Sequence, residues 1–240
     1  MRKPTDLGYE YDGAFAEYIK IPAQAIQIGN VFEISPSLSY EEAAITEPLA
    51  ACINGNERSN IKADDTVLIL GAGPIGLMHL QLAKLQGAHV IISDLADERL
   101  KVAKDLGADR LINPKNEDLL SLAKGSSDYG VDVAIVATGS AAAIEQGIKA
   151  LKKGGTLNLF GGSPKGTTVA LDPNIIHYGE LNVTGTSGFR PFHHWKALKL
   201  VDAGQIKLKP LITHTLPLEG AVEAILMKEK GVGLKHILKP

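Results

Sequence analysis

The segment "TVLILGAGPIGLMHLQLAKLQGAHVIISD", residues 66–94, places Gly71, Gly73 and Gly76 in a G-x-G-x-x-G pattern. An apolar run precedes the glycines and a helical pattern follows them, the setting that a dinucleotide-binding turn requires. Each glycine then has its own task. Gly71 permits the tight turn, Gly73 lets the backbone approach a pyrophosphate, and Gly76 lets helix and strand pack closely. Pro74 and Ile75 fall in the first turn of the expected helix, whose free N–H groups and partial positive charge face the phosphates.

Asp94 ends the second expected strand, about 20 residues beyond the glycines. A carboxylate there accepts both ribose hydroxyls of the adenosine half and repels a 2′-phosphate, which selects NAD over NADP. The residues that follow, Leu95, Ala96 and Asp97, supply no cation to neutralise such a phosphate. Arg99, a turn into the next helix, reads either as a side chain over the adenine or as a solvated helix charge. Two further turns sit at strand ends, where open α/β sheets bind ligands: "VATGS", with Thr138 and Gly139, and "LFGGS", with Leu159, Phe160 and Gly161. A methyltransferase also has a glycine turn after its first strand and an acidic residue at the end of its second. The complete glycine pattern and the "VATGS" turn favour the dinucleotide.

The elements that must hold these residues follow from periodicity. Residues 1 to about 38 have a β-like pattern, with polar and apolar residues alternating in "AFAEYIKIP". At Ser39 the period changes. "SYEE" is a capping box, with Ser39 as N-cap and Glu42 at N3, and it opens a helix toward "AACINGNE". Between about 48 and 186, short apolar runs alternate with helical patterns. Strands are expected at 66–70, 89–93, 110–113, 132–136, 156–160 and 181–186. The helix "DERLKVAKDLG" aligns Leu100, Ala103 and Leu106 and stops at Gly107; "NEDLLSLAKG" takes Asn116 as its cap. This alternation predicts βαβ units in a doubly wound, parallel, six-stranded Rossmann sheet. From about 187 to 240, helices are expected near 192–203 and 218–229, then a short strand in "LKHILK". That tail is expected to pack with residues 1–47 rather than with the sheet.

Composition narrows the class. The chain has 240 residues, 45% of them hydrophobic, and a formal net charge of −2. No long run of like charge points to nucleic acid or to an anionic membrane. No apolar run reaches the roughly 18 residues of a membrane span, and the opening residues lack the apolar core of a signal peptide. A single cysteine, Cys52, excludes an internal disulfide and a cysteine-rich zinc knuckle. A cytoplasmic protein with a small-molecule substrate is the default reading.

Taken in order, "DGAFAEYIKIP", "ITEPLAAC", "LGAGPIGLMHLQLAK", "SDLADERLKVAKDLGAD", "VATGS", "GGTLNLFGG", "SGFRPFHHW", "LKPLITHTLPLEGAVEAI" and "GVGLKHILK" resemble the zinc-dependent medium-chain dehydrogenases, in their sorbitol (polyol) dehydrogenase branch. The resemblance implies a Rossmann domain, residues 48–186, set within a GroES-like β-rich catalytic domain to which residues 1–47 and 187–240 contribute. It implies NAD-dependent oxidation of a polyol or secondary alcohol to the ketone, assisted by zinc. Glu47 of "EPLA" matches the glutamate at the catalytic zinc. Ile75, Asp94, Arg99, Leu159, Phe160 and Gly161 match cofactor contacts; Gly188, Phe189 and Arg190 match a segment whose "FR" pair reaches cofactor and substrate. Pro191 departs from the tyrosine that polyol enzymes often carry there, which weakens the case for sorbitol itself.

Family members carry the cysteine, the histidine and often a second glutamate of the zinc site ahead of "DGAFAEY", and this sequence begins after that point. Zinc catalysis takes about three protein ligands and one open position. Glu47 is thus expected to be part of an incomplete set. Cys52 reads as a small buried side chain, His79 as a core or interface residue, and His193 and His194 as one packed and one surface residue. His177, His214 and His236 share no ligand spacing. Three readings remain: a piece of a polyol, secondary-alcohol, L-threonine or sugar-phosphate dehydrogenase; a non-catalytic dinucleotide-binding module; and a zinc-free oxidoreductase of the quinone reductase kind, which Asp94 opposes because those enzymes favour NADPH. Open strand edges and apolar faces predict a homo-oligomer.

Overall fold

A computed structural model describes residues 7, 8, 10–125 and 129–240. The remaining opening residues, on which the signal-peptide reading partly rests, lie outside the described residues. Contacts divide the chain into two compact units, Ile45–Lys207 and a second made of Met1–Ala44 with Leu208–Pro240.

The smaller unit begins with two short helices, α1 (Ala23–Gln27) and α2 (Tyr40–Ala44). Ser39 caps α2 as expected: its Oγ accepts the Glu42 N–H and donates to the Glu42 carboxylate at 2.7 Å. The helix it opens ends at Ala44, however, and a separate one starts at Thr46. The alternating segment 14–22 forms no strand. A strand needs a neighbour to take its N–H and C=O groups, and no described segment pairs with this one.

The larger unit holds α3 (Thr46–Ser59), β1 (Thr66–Leu70), α4 (Pro74–Leu85), β2 (His89–Ser93), α5 (Asp97–Asp105), β3 (Arg110–Ile112), α6 (Leu119–Lys124), β4 (Val131–Val136), α7 (Ala141–Ala150), β5 (Leu151–Leu159), α8 (Pro173–Gly179), β6 (Asn182–Gly185) and α9 (Pro191–Asp202). The strands form one parallel sheet in the order β3-β2-β1-β4-β5-β6. Helices cover both faces, so the central strands are apolar throughout: Val67, Leu68, Ile69 and Leu70 of β1 and Val133, Ala134, Ile135 and Val136 of β4 are all buried. The chain winds outward from β1 to β3 and then returns to the other side of β1. That reversal opens a crevice at the carboxyl ends of β1 and β4.

Two local expectations are corrected. The cap of α6 is Asp118, not Asn116; its Oδ1 accepts the N–H groups of Leu120 and Ser121. Asn116 is engaged one turn earlier, donating its N–H to the Asn113 carbonyl at 2.9 Å. Strand β5 starts at Leu151, which pairs with Val131, and its partner residues then jump to Thr156. The "KKGG" stretch, ahead of the strand expected at 156–160, forms an irregularity within β5, from which Lys152 reaches the Asp132 carboxylate.

Helix α9 packs against α3 and belongs to the larger unit. Its buried stripe, His193, Ala197, Leu198 and Val201, sets it there. The segment 187–207, grouped by pattern with the termini, thus joins the sheet unit. The smaller unit is completed by β7 (Ile212–Pro217), α10 (Ala221–Glu229) and β8 (Lys235–Lys239), with β7 and β8 paired in parallel. Strand β7 had no signal of its own among the expected elements. Its alternation, "ITHTLP", is short and carries a terminal proline.

A buried polar cluster fixes α3 to the sheet. Asn158 of β5 donates to the Gly55 carbonyl and to Ser59 Oγ, both at 2.9 Å, and accepts from Thr186 Oγ1 at 3.1 Å. Replacing Asn158 with alanine leaves buried partners unsatisfied and costs about 3 kcal/mol of stability. Denaturant unfolding followed at Trp195, the single tryptophan, measures this; a loss under about 1 kcal/mol contradicts the role.

His79 of α4 is fully buried, neither ring nitrogen has a hydrogen-bond partner, and burial pushes its pKa down to about 3. The unfolded chain protonates this ring near 6.5 while the folded chain does not, so stability falls as pH drops below that value. Between about pH 6.5 and about pH 4.5 the loss from His79 alone is about 2 kcal/mol. In His79→Leu that part of the pH slope disappears; an unchanged slope contradicts the assignment.

Candidate functional site

The sheet register brings the expected dinucleotide residues to one edge. Leu70 is level with Ser93 and Val136, and Val136 with Leu159. The residues just beyond these strand ends, Gly71, Asp94, Thr138 and Phe160, therefore emerge side by side. Gly71 has φ +105°, a conformation that strains any side chain, and its N–H donates to the Ser93 carbonyl at 2.7 Å. A Cβ on Gly76 would overlap the carbonyl oxygen of Gly71, so only glycine lets α4 start this close to β1. Around Gly73, by contrast, the space is open. Pro74 occupies the first helical position, where a missing N–H costs nothing, and Gly73 is the N-cap. The Ile75 carbonyl accepts the Cys52 thiol at 3.8 Å, which ties α3 to this first turn.

Asp94 is held by the turn it faces. Its Oδ2 accepts the Ala72 N–H at 2.7 Å and its Oδ1 accepts the Ala96 N–H at 2.9 Å. Arg99 Nη1 stands 3.9 Å from Oδ2. The carboxylate is therefore fixed at the rim of the crevice with two oxygens oriented. Across the crevice the loops after β4 and β5 interlock. A Cβ on Gly161 would lie 2.6 Å from the Thr138 backbone, and a Cβ on Gly139 would overlap the Gly162 carbonyl. The N–H groups of Phe160 and Gly161 both donate to the Val136 carbonyl, at 3.1 and 2.8 Å. The Phe160 ring turns inward: it meets His79 edge-on, centroids 4.5 Å apart, and would crowd any side chain at Gly55. The aromatic side chain of Phe160 thus serves packing.

After β6 the chain passes Gly188, at φ +67°, and reaches Phe189 and Arg190. The Gly188 carbonyl accepts Asn54 Nδ2 at 2.8 Å. The Arg190 N–H donates to His193 Nδ1 at 2.9 Å. His193 Nε2 meets Glu57 Oε2 at 3.1 Å, and Lys196 Nζ donates to Glu57 Oε1 at 2.9 Å. Burial alone would raise the Glu57 pKa; hydrogen bonds from Lys196 and His193 outweigh it and hold the carboxyl below its ordinary value. Asn54, Glu57, Arg190 and His193 line a cavity of about 460 Å³ together with Arg58, Ser187 and Phe189. Neither Asn54 nor Glu57 carried a motif, and His193, within "SGFRPFHHW", was expected only to pack or to face solvent. Their partners lie more than 130 residues apart in sequence, and only the helical spacings Asn54/Glu57 and His193/Lys196 hint that each pair shares a face.

Glu47 lies exposed in the first turn of α3. His194 is half-buried, with Nε2 2.9 Å from Thr46 Oγ1, and burial lowers its pKa. In the smaller unit, His214 and His236 are not isolated as their sequence spacing implied. They are register partners on β7 and β8, with rings stacked 4.8 Å apart. Among the described residues, no three His, Cys, Asp or Glu side chains converge into a group that could hold a metal ion. The described residues thus do not fit a catalytic zinc. No helix among the described residues is long and apolar enough to cross a membrane.

Comparison with known proteins agrees with this geometry. The family model for zinc-binding dehydrogenases matches residues 74–203. L-threonine 3-dehydrogenase of Symbiobacterium thermophilum is 34% identical over 238 residues, covering 98% of this chain and 66% of that protein. Sorbitol dehydrogenase of Ovis aries is 36% identical over 213 residues, covering 87% of this chain and 59% of that protein. The crystal structure of a zinc-binding dehydrogenase from Sinorhizobium meliloti bound to NADP superposes with a TM-score of 0.90 at 34% identity, covering 100% of this chain and 69% of that one. The chain thus spans about three fifths to two thirds of the length of these curated relatives. A family match over more than half of its residues settles the kinship: the chain belongs to the zinc-binding dehydrogenases.

Proposed function

We propose that this protein binds NAD in the crevice between β1 and β4 and oxidises a polyol or secondary alcohol to the ketone by hydride transfer. The observation that carries the reading is the turn from Gly71 to Gly76, open at Gly73, with Asp94 anchored beside it. In this reading the first N–H groups of α4 take the pyrophosphate. The Asp94 carboxylate takes the adenosine ribose hydroxyls, and Arg99 lies along the adenine. The backbone at Thr138–Gly139 and Leu159–Gly161 bounds the nicotinamide, with Phe189 and Arg190 closing from the β6 side. Glu47 stands for one ligand of the zinc that relatives are named for. The smaller unit is read as part of a GroES-like catalytic domain. L-threonine and sugar-phosphate dehydrogenation remain the nearest alternative reactions, since a threonine enzyme and a sorbitol enzyme match this chain at similar identity.

Cytoplasmic location and self-association belong to the same proposal. Exposed Phe15, Ile26, Ile28 and Val31 in the smaller unit favour association. Light scattering is expected to show an oligomer, and a sharp monomer counts against it.

NAD preference is tested by titrating both dinucleotides. NAD binds at least ~10-fold more tightly than NADP, and Asp94→Ala narrows that gap by weakening NAD. Equal affinities in the parent chain overturn the preference. The reaction is tested on protein of natural length by following reduced nicotinamide with a panel of polyols, secondary alcohols and threonine. Turnover of a polyol or secondary alcohol is expected; silence with every substrate, alongside intact NAD binding, would falsify the reaction while leaving the binding site.

A further inference from the structure

We propose that His193 is a positioning residue for the dinucleotide site, holding the Arg190 backbone through Nδ1 while Nε2 is anchored on Glu57 of α3; this rests on the NAD reading above. The segment from Thr186 to Arg190 leaves the carboxyl end of β6 and turns at Gly188. Thr186 is still tied to the sheet, its N–H donating to the Leu159 carbonyl at 3.2 Å. Beyond it the ties pass to α3. Asn54 holds the Gly188 carbonyl, and His193 holds the Arg190 N–H.

The hydrogen bonds fix the state of the ring. A backbone N–H can only donate, so Nδ1 is the acceptor and the proton sits on Nε2, which donates to Glu57. Glu57 is oriented in turn by Lys196 on its other oxygen. The imidazole itself is only 8% exposed, so its two ring nitrogens are committed to these partners rather than to solvent. Lys196–Glu57–His193–Arg190 is thus a strap from α3 and α9 to the backbone that presents Phe189 and Arg190. The dinucleotide pattern itself requires no histidine here. A His at N3 that reaches back to the N-cap N–H also supports the first turn of α9, so the test must separate positioning from helix stability.

Two substitutions isolate the Arg190 bond. In His193→Asn the amide oxygen stands near the place of Nδ1 and still accepts the Arg190 N–H, while the Glu57 contact is lost. In His193→Leu both contacts are lost, so the two variants differ in the Arg190 bond. Amide hydrogen exchange at Arg190 is expected to accelerate ~10-fold in His193→Leu and to stay near the parent rate in His193→Asn. NAD affinity is expected to fall about 5- to 10-fold in His193→Leu and to stay within about 2-fold in His193→Asn. Thermal melting of both shows whether the two lose stability alike. Equal exchange in both variants, or parent-like NAD affinity in His193→Leu despite faster exchange, overturns the role. If the parent chain binds no dinucleotide, the NAD reading fails, and the exchange contrast still decides whether His193 holds Arg190.

Discussion

At the start of α4 there is no room for a Cβ. The carbonyl oxygen of Gly71 fills the place that a side-chain carbon on residue 76 would take, so helix and strand meet at backbone distance. Much of the larger unit depends on that approach. It sets the axis of α4, whose Leu77, Met78, Leu80 and Ala83 are all buried between the sheet strands and α3 that the helix contacts. It also points the first N–H groups of the helix into the crevice that the strand order opens between β1 and β4. The same approach leaves Gly73 in open space. A turn that served packing alone would need the closeness at residue 76 but would have no reason to keep residue 73 bare.

Around this constraint the unit is held by two kinds of bond. Apolar burial holds the sheet between its helices, without direction. Directional bonds do the aiming. Asp94 is tied to the turn by the Ala72 and Ala96 N–H groups, Asn158 bolts α3 to β5, and the bonds from Asn54 and His193 carry the loop after β6. Helix α3 takes part in most of these ties. It touches the first turn of α4 through Cys52, the sheet through Gly55 and Ser59, and α9 through Glu57. It is the common support of the β1 and β6 sides of the candidate cleft.

The sheet was legible in the sequence because fully buried parallel strands read as short apolar runs bounded by turns. "TVLIL", "HVIIS" and "VDVAIV" each announce themselves. The glycine turn was legible because its residue types follow from backbone geometry. What stayed hidden was set at long range. Glu57 and His193 are ordinary helix residues until folding brings them together, and so are His214 and His236 on their paired strands. At Phe160 backbone and side chain part company: its N–H bonds to the Val136 carbonyl and its ring packs on His79, an arrangement that no local pattern announces. The alternating segment 14–22 has a strand's pattern without a described partner strand, and pattern alone does not make a ladder.

The central claim is that dinucleotide binds along the carboxyl ends of β1, β2, β4 and β5, with the turn at residues 71–76 as its seat. Backbone amide chemical shifts recorded during an NAD titration test this most directly. The account predicts that the largest changes fall together at Gly71–Gly76, Asp94–Ala96, Thr138–Gly139 and Phe160–Gly161, and saturate with a single affinity. Changes that are absent there, or that cluster elsewhere on the chain, contradict it.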